Sequence, residues 1–583
     1  MGGLRNSEGQ NKKLSIKQHS QYQLMNRKLL AGMLVAIPGA MMAQSAIDAF
    51  SISRSDLRGS ARFMSMGGAF TALGGDISTL NQNPGGIGVY RSSDLSATLD
   101  INMQSSKLRA GGFSNTVNHT NVACNNFGYV GTVNLGSNSV MPFFNWGASY
   151  SRVASFDRRY SGNLGAIGTS LTNLVADYTN ADGFTQYDLW SNDYTKYNPY
   201  LDSSAPWTSI LMYDGYGINP VSLGANSYTG LYDYENSVAS AAVNVEEKGH
   251  IDEYAIDFGG NISDVVYWGI GFGITDVDYR TRAFYSENID NALVPGPDAS
   301  KEPTYTNGTA AYTLENYKHI WGSGFNFKAG LIFKPINEFR LGIAVHTPTY
   351  YNLSYEGGAS MPYSYQSPAY NGNAYKGTAV TDDGYLDNFD WKCRTPWRLM
   401  VGAAGVIDGR AIISADYEYR GSNAIKVQDY DGNDYPDITE DIKTYYKAQN
   451  IMRLGLEYRV TPQFSVRAGY VYETSPVTTE VMNGYSITPK GPEAHYVYTG
   501  GADDTETLPS YTLDKSTQYI TCGLGYRYKN FYADAAYVHR ARKSKFKAFT
   551  DYNENSTGDL IIAPTGSISD NDNSIVLTVG FRF

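Results

Sequence analysis

The stretch 450–473, NIMRLGLEYRVTPQFSVRAGYVYE, decides the fold. Met452, Leu454, Leu456, Tyr458 and Val460 share one parity; Arg453, Gly455, Glu457 and Arg459 share the other. Beyond Thr461-Pro462, Phe464, Val466, Ala468, Tyr470 and Tyr472 alternate with Ser465, Arg467, Gly469 and Glu473. A period of two belongs to a β-strand with one apolar and one polar face. A half-buried soluble sheet alternates in the same way, so a single hairpin leaves soluble and membrane sheets both open. Repetition and spacing separate them.

Strands of this kind are predicted near 93–103, 126–136, 142–154, 251–262, 264–275, 319–334, 338–350, 395–407, 410–420, 449–460, 463–473, 515–528, 530–545 and 573–583. Their connections alternate between short turns, such as 335–337, 408–409 and 461–462, and long polar segments, such as 104–125, 351–394, 421–448 and 474–514. The longest runs from 155 to 250. An even strand number, short periplasmic turns and long outer loops are the pattern of a bacterial outer-membrane barrel. Closure is how a lipid-embedded sheet satisfies its edge groups. The expected fold is therefore all-β: a 14-stranded antiparallel transmembrane barrel, residues 93–583, with a large outer loop at 155–250.

Composition agrees. Aromatics make up 14% of the 583 residues, and 49 residues are tyrosine, suited to interfacial girdles. Mean hydropathy is nevertheless −0.36, as alternation requires. A net charge of −11 argues against nucleic-acid binding, which needs a basic face. Residues 25–43 start MNRKLL, run apolar to Met42 and reach Ala43 before Gln44. That is a secretory signal pattern with Met25 as a candidate start, so 1–43 reads as a signal peptide with an N-terminal extension. Three scattered cysteines support neither a zinc site nor a disulfide scaffold, although a single Cys124–Cys393 bridge stays open.

Between signal and first strand lies SMGGAFTALGGDISTLNQNPGGIGVY, residues 65–90. It contains no lysine or arginine and lacks the strand-and-helix setting of a phosphate loop. Asn-Pro-Gly-Gly is turn chemistry, and glycine lets backbone approach backbone. Residues 44–92 are therefore expected to form a compact segment inside the barrel.

The last strand, SIVLTVGFRF, alternates up to a terminal Phe583 and resembles the recognition signal read by the barrel-assembly machinery. More specifically, SARFMSMGGAFTALGGDISTLNQNPGGIGVYRSSDL resembles the N-terminal region of the FadL/TodX family of outer-membrane transporters. RLGIAVHTPTYYNLSYEGG, WRLMVGAAGVIDGRAIISADYEYR and 450–477 continue the resemblance. It implies a monomeric barrel among outer-membrane lipids of a Gram-negative cell, passing long-chain fatty acids or other hydrophobic compounds. It also implies that Gly67, Gly68, Phe70, Asn83, Pro84, Gly85 and Gly86 belong to a gating hatch. Gly85 replaces the family's alanine, a change expected to loosen the turn. A second reading is a same-family barrel that serves a protein-secretion machine, as PorV-type accessory subunits do, with 155–250 as its platform.

Arg398, Arg453, Arg467 and Arg527 fall on the lumen parity, where one could hold a carboxylate or all could pair across strands, as Glu457 with Arg467. Leu164, Ile167, Leu171, Leu174 and Val175 follow helical spacing in the large loop. Leu171 and Leu174 are candidate ligand contacts; packing on the barrel mouth is the other reading of that stripe. Asp429, Asp431, Asn433 and Glu440 partly match a calcium loop, but the sixth position is Asp434 instead of glycine and no flanking helix is expected. No cofactor or metal is expected. No nucleophile elbow or histidine ligand spacing points to an enzyme, although a spatially assembled serine–histidine pair escapes sequence motifs.

Overall fold

Alternation becomes a ladder that closes on itself. The computed structural model describes residues 43–296, 304–483, 507–553 and 559–583, except Ser137, Leu223 and Gly372. The signal segment before residue 43 lies outside the described residues. The fourteen strands are β1 (Asp94–Ala110), β2 (Phe113–Asn134), β3 (Phe143–Ser155, continued by Arg158–Ile167), β4 (Val238–Ile262), β5 (Val266–Pro295) and β6 (Tyr305–Ile336). Then come β7 (Phe339–His346 and Tyr350–Gln366), β8 (Asp387–Arg394 and Arg398–Ile407), β9 (Ala411–Arg420 and Lys426–Asp429) and β10 (Gln449–Arg459). The last four are β11 (Phe464–Glu473), β12 (Tyr511–Tyr528), β13 (Phe531–Lys547) and β14 (Thr565–Arg582). All neighbours are antiparallel, and β14 returns to β1 in register from Asp94–Arg582 to Ala110–Gly566. Closure leaves no sheet edge in lipid.

The two faces sort as the alternation predicts. On β10, Leu454 is 53% exposed while Glu457 is 6% exposed. Charged side chains end the outer apolar band: Ile274 is followed on the same face of β5 by Asp276, Asp278 and Arg280. On β1, Met103 gives way to Lys107 and Arg109.

Several strands continue far past that band. β4, β5 and β6 have 25, 30 and 32 residues, whereas spanning a bilayer takes about ten. The segments 104–125 and 276–318, expected as loops, are mostly paired strand arms. Outside lipid both faces of a strand can be polar, so the ladder persists after the apolar alternation has gone. The loop 155–250 shrinks for the same reason to a cap of 168–237, because 158–167 and 238–250 pair as strand.

Three adjacent strands break at one level. β7 is interrupted at Thr347-Pro348-Thr349, β8 at Thr395-Pro396-Trp397 and β9 at 421–425. Proline cannot donate to a ladder, and the inward parity changes across each break: His346 and Tyr351 both face in, as do Arg398 and Cys393. The predicted unbroken strands at 338–350 and 395–407 are corrected accordingly.

In the cap, α3 (Leu171–Ala181) starts at Ser170, so Leu164 and Ile167 belong to the β3 continuation and not to the helical stripe. Leu171 and Leu174 are buried in the cap's own packing. Glu287 of β5 anchors this helix, accepting from Ser170 Oγ at 2.5 Å, Leu171 N at 2.9 Å and Tyr285 OH at 2.6 Å. A carboxylate at a helix N-terminus answers its unpaired N–H groups. The acidic loop at 429–440 does have a helix: α4 (Pro436–Tyr445) contains Glu440, while Asp429 accepts from Asn433. All three cysteines are free, so Cys124 and Cys393 are not bridged.

Asp214 ends the cap helix Trp207–Asp214 and accepts from Tyr194 OH at 3.2 Å and Tyr200 OH at 3.3 Å. Burial, aided by the charge of Asp383, pushes its carboxyl up to about 7 against the pull of the two phenols. The folded cap therefore binds this proton more tightly than the unfolded chain does. Its stability falls as pH rises from the ordinary carboxylate value of about 4 to about 7, and the loss is complete above that. Hydrogen exchange at 207–216, corrected for intrinsic rate, is expected to quicken across that window, and Asp214→Asn to abolish the dependence.

Candidate functional site

The lumen is filled by the N-terminal segment. α1 (Ala43–Ile52) and α2 (Ala61–Ser65) are followed by two short 3₁₀ helices, Ile77–Asn81 and Pro84–Val89. The last three are each capped by a short polar side chain: Ser60 accepts from Phe63 N, Asp76 from Ser78 N and Asn83 from Gly85 N. Such caps satisfy donors that a short helix leaves unpaired. Phe70, Asn83, Pro84, Gly85 and Gly86 are all buried. Gly67 and Gly68 hold φ of 62° and 67°, a region that costs other residues strain.

Glycines on the wall receive this plug. A methyl group at Gly269 would overlap Pro84 O, one at Gly330 would overlap Asn83 Oδ1, and one at Gly342 would overlap Thr71 O. At Gly469 it would meet Gly67 N, and at Gly455 it would lie 2.7 Å from Met66 O. These glycines align between strands: Gly259 with Gly269, Gly269 with Gly330, Gly342 with Gly402, and Gly455 with Gly469. A belt without Cβ atoms lets plug backbone touch wall backbone. Gly85 is part of the same fit, since a methyl there would lie 2.9 Å from the Gly330 carbonyl. It tightens the seat, contrary to the expected loosening.

Polar bonds fix the plug's orientation. Asn83 Nδ2 donates to Thr71 O at 2.5 Å and to Leu331 O at 3.3 Å. Thr71 N donates to Asp416 at 2.8 Å, His346 Nε2 to Gln82 O at 2.9 Å, and Arg62 Nε to Glu457 at 2.9 Å. Phe70 packs against Phe63 at 5.3 Å with the Arg62 guanidinium over its ring.

A cavity of about 120 Å³ lies between plug and wall, lined in part by Asp56, Arg152, Lys328, His346, Arg398 and Arg453. Two of these cations, Arg398 and Arg453, share one carboxylate with Arg420, which lies outside the lining. Glu418 alone serves Arg398 at 2.7 Å, Arg420 at 2.9 Å and Arg453 at 2.6 Å. Arg453 Nη1 is buried with no hydrogen-bond partner among the described residues. Arg467 lies elsewhere, held by Glu457 at 2.7 Å and Asp534 at 2.6 Å. The cross-strand pair of Glu457 with Arg467 is thus present in register. Arg527 is half-buried. Leu171 and Leu174 sit in the cap and do not line this cavity.

One seam of the wall beside the cavity is closed by side chains. The β2–β3 ladder stops at Asn126–Ser151. Above it Asn121 Nδ2 donates to Asp157, and Asn115 Nδ2 to Ser161 O and Oγ at 3.0 Å. The plug stands behind this seam: Asp56 N donates to Val153 O at 2.9 Å, and Ser155 N to Asp56 at 3.2 Å. Arg58 donates to Asn125 at 2.9 Å and Asp100 at 3.1 Å. No sequence expectation named this seam or the Thr-Pro breaks. Asn115, Asn118, Asn121, Asn125 and Asn126 on a 22-residue strand without one charged residue were the available signal.

No protein-family model and no curated protein matches the sequence. Among solved structures the chain is similar to a Pseudomonas aeruginosa FadL homologue, at 13% identity and a TM-score of 0.48, covering 91% of this chain and 99% of that one. It is also similar to the P. putida toluene transporter TodX, at 13% identity and 0.42, covering 91% and 99%. The Ralstonia pickettii toluene transporter TbuX gives 13% and 0.41 over the same shares. The fold rests on the chain's own closed ladder, not on these likenesses.

Gly330→Val and Gly342→Val are expected to leave barrel closure intact, because their side chains point into the lumen. Overpacking of about 1–3 kcal/mol per site should fall on the seated plug. The expected outcome is an unchanged heat-modifiable gel shift with faster hydrogen exchange confined to 61–90.

Proposed function

We propose that the chain is a passive outer-membrane transporter of hydrophobic small molecules, long-chain fatty acids among them, with the plug as its hatch and the β2–β3 seam as its sideways exit. The observation that carries this reading is the placement of Asp56 and Arg58. They stand between the cavity and the seam and bond the wall on both sides of it. A cavity of about 120 Å³ falls short of the roughly 300–1,000 Å³ that small-molecule sites occupy. Passage therefore requires the plug to shift, and the shift that enlarges the cavity also removes the seam's backing. Side-chain bonds at the seam part without breaking a backbone ladder, and the apolar outer face beside them delivers an apolar molecule directly into lipid. The cationic lining around Arg398 and Arg453 suits an acidic head group.

Asn121→Cys and Asp157→Cys, in a chain whose own cysteines are serine, place one thiol on each side of the seam. Bridging them with a short reducible crosslinker is expected to cut uptake of a labelled fatty acid by cells about tenfold, a barrier change of about 1.4 kcal/mol. Reduction should restore uptake. Uptake that ignores the bridge removes the seam as the exit, and uptake equal to that of cells lacking the protein removes the transport reading.

A further inference from the structure

The cap 168–237 has two properties that transport does not use. Its sequence contains eight acidic residues and a single lysine, and that lysine, Lys196, is already paired with Asp193 at 2.8 Å. An acidic mouth does nothing to draw in the acidic head group of a fatty acid. The same cap exposes large apolar side chains. Tyr187 is 85% exposed, Trp190 and Leu201 are exposed, and on the neighbouring turn Tyr385 is 72% exposed. Lipid does not cover them. The outer apolar face of β5 ends at Ile274, whereas the cap is tied to the far end of the arms: Leu293 N donates to Leu231 O, and Tyr305 OH to Pro220 O.

These side chains stand on elements that pack in a row: the short helices Gln186–Leu189 and Pro199–Asp202, then the turn Thr381–Gly384. Asp188 closes the start of the first, accepting from Thr185 N at 2.7 Å and Oγ1 at 2.8 Å. Trp207 Nε1 donates to Tyr200 O at 3.0 Å and ties the second to the helix Trp207–Asp214. Asn198 Nδ2 donates to Asp382 and ties the second to the third. The exposed carboxylates of Asp202 and Asp383 are one and two residues from Leu201 and Tyr385. The face is therefore fixed in shape, aromatic in its middle and acidic around it.

We propose that this face of the cap is a docking site for a basic polypeptide segment, one that carries arginine next to apolar residues. Charge complementarity selects the occupant. A guanidinium stacks on the faces of tryptophan and tyrosine, and the carboxylates around them answer its charge. Apolar neighbours of that arginine cover Leu201 and the ring edges, as a contiguous exposed patch requires of its partner. Aromatic anchors on a fixed scaffold lose little freedom on binding. Nucleic acid or an acidic glycan meets a repulsive field on approach, and a neutral glycan gains nothing from it. The field also speeds encounter with a cationic partner, an effect that salt screens. The site lies outside the lumen, so the proposal goes beyond the transport reading and does not depend on it.

The test uses the full chain in zwitterionic nanodiscs, with empty nanodiscs as the blank and a fluorescein-labelled Arg-Leu-Gly repeat peptide as the probe. The same peptide with citrulline for arginine keeps the shape and removes the charge. The arginine peptide is expected to bind about tenfold more tightly than the citrulline peptide, and less tightly as salt is added. Tyr187→Ser with Trp190→Ser should weaken it about tenfold, as loss of aromatic anchors does. Asp202→Asn with Asp383→Asn should flatten the salt dependence. All four side chains are exposed, so heat-modifiable migration and hydrogen exchange at 207–216 should match the unaltered chain; Tyr187→Ser alone serves if the pair disturbs that exchange. Absence of saturable binding, equal affinity for the citrulline peptide, affinity that ignores the loss of Tyr187 and Trp190, or tighter binding of the neutral oligosaccharide maltoheptaose each overturns the proposal. None of these readouts involves uptake, so their failure leaves the transport reading standing.

Discussion

The absence of Cβ atoms along one belt of the lumen wall is the constraint on which the rest of the structure depends. A fourteen-stranded barrel is wide enough to leak, and its interior must be filled. Side chains alone would fill it permanently. Here Gly269, Gly330, Gly342, Gly455 and Gly469 clear a belt into which a folded segment lays its backbone. Van der Waals contact of this kind is lost with a displacement of about an ångström, so the seat is either whole or vacated. That property suits a gate. It also explains why plug and wall are both rich in glycine: each surface needs the other's backbone within reach.

Charge follows from the same architecture. With the plug in place, polar lumen side chains are cut off from water and must find partners. Glu457 joins Arg467 of the wall to Arg62 of the plug, so one carboxylate ties the plug to the wall. Around Glu418 three guanidiniums share one carboxylate. Two of them, Arg398 and Arg453, line the cavity between plug and wall. Higher up, Asp48 of the short helix α1 pairs with Lys318 of β6.

The barrel was legible because lipid imposes a contrast on each strand that spans it. Met452, Leu454 and Leu456 against Arg453, Gly455 and Glu457 leave little choice of face. The contrast ends where the lipid ends, and so the arms of β4 to β6 read as loops although their ladders continue. The cap was misread at its start for a related reason. Leu164 and Ile167 match a helical period with Leu171, but they belong to a strand that stops before Ser170. The pairing of Glu457 with Arg467 was legible, since turn length fixes register. The sharing of Glu418 was not, because Arg398 reaches it diagonally from a neighbouring strand. Nor was the reason for Gly85, whose neighbour Gly330 lies 245 positions away and meets it only when plug and barrel are both folded.

The central claim is that the plug must leave its glycine seat for a molecule to pass. Arg62→Cys and Glu457→Cys, in a chain without other cysteines, can be joined by a short reducible crosslinker that ties plug to wall. Uptake of a labelled fatty acid into cells is then compared before and after reduction. The account predicts near-background uptake while the tether holds and recovery on its release; full uptake through the tethered protein would contradict it.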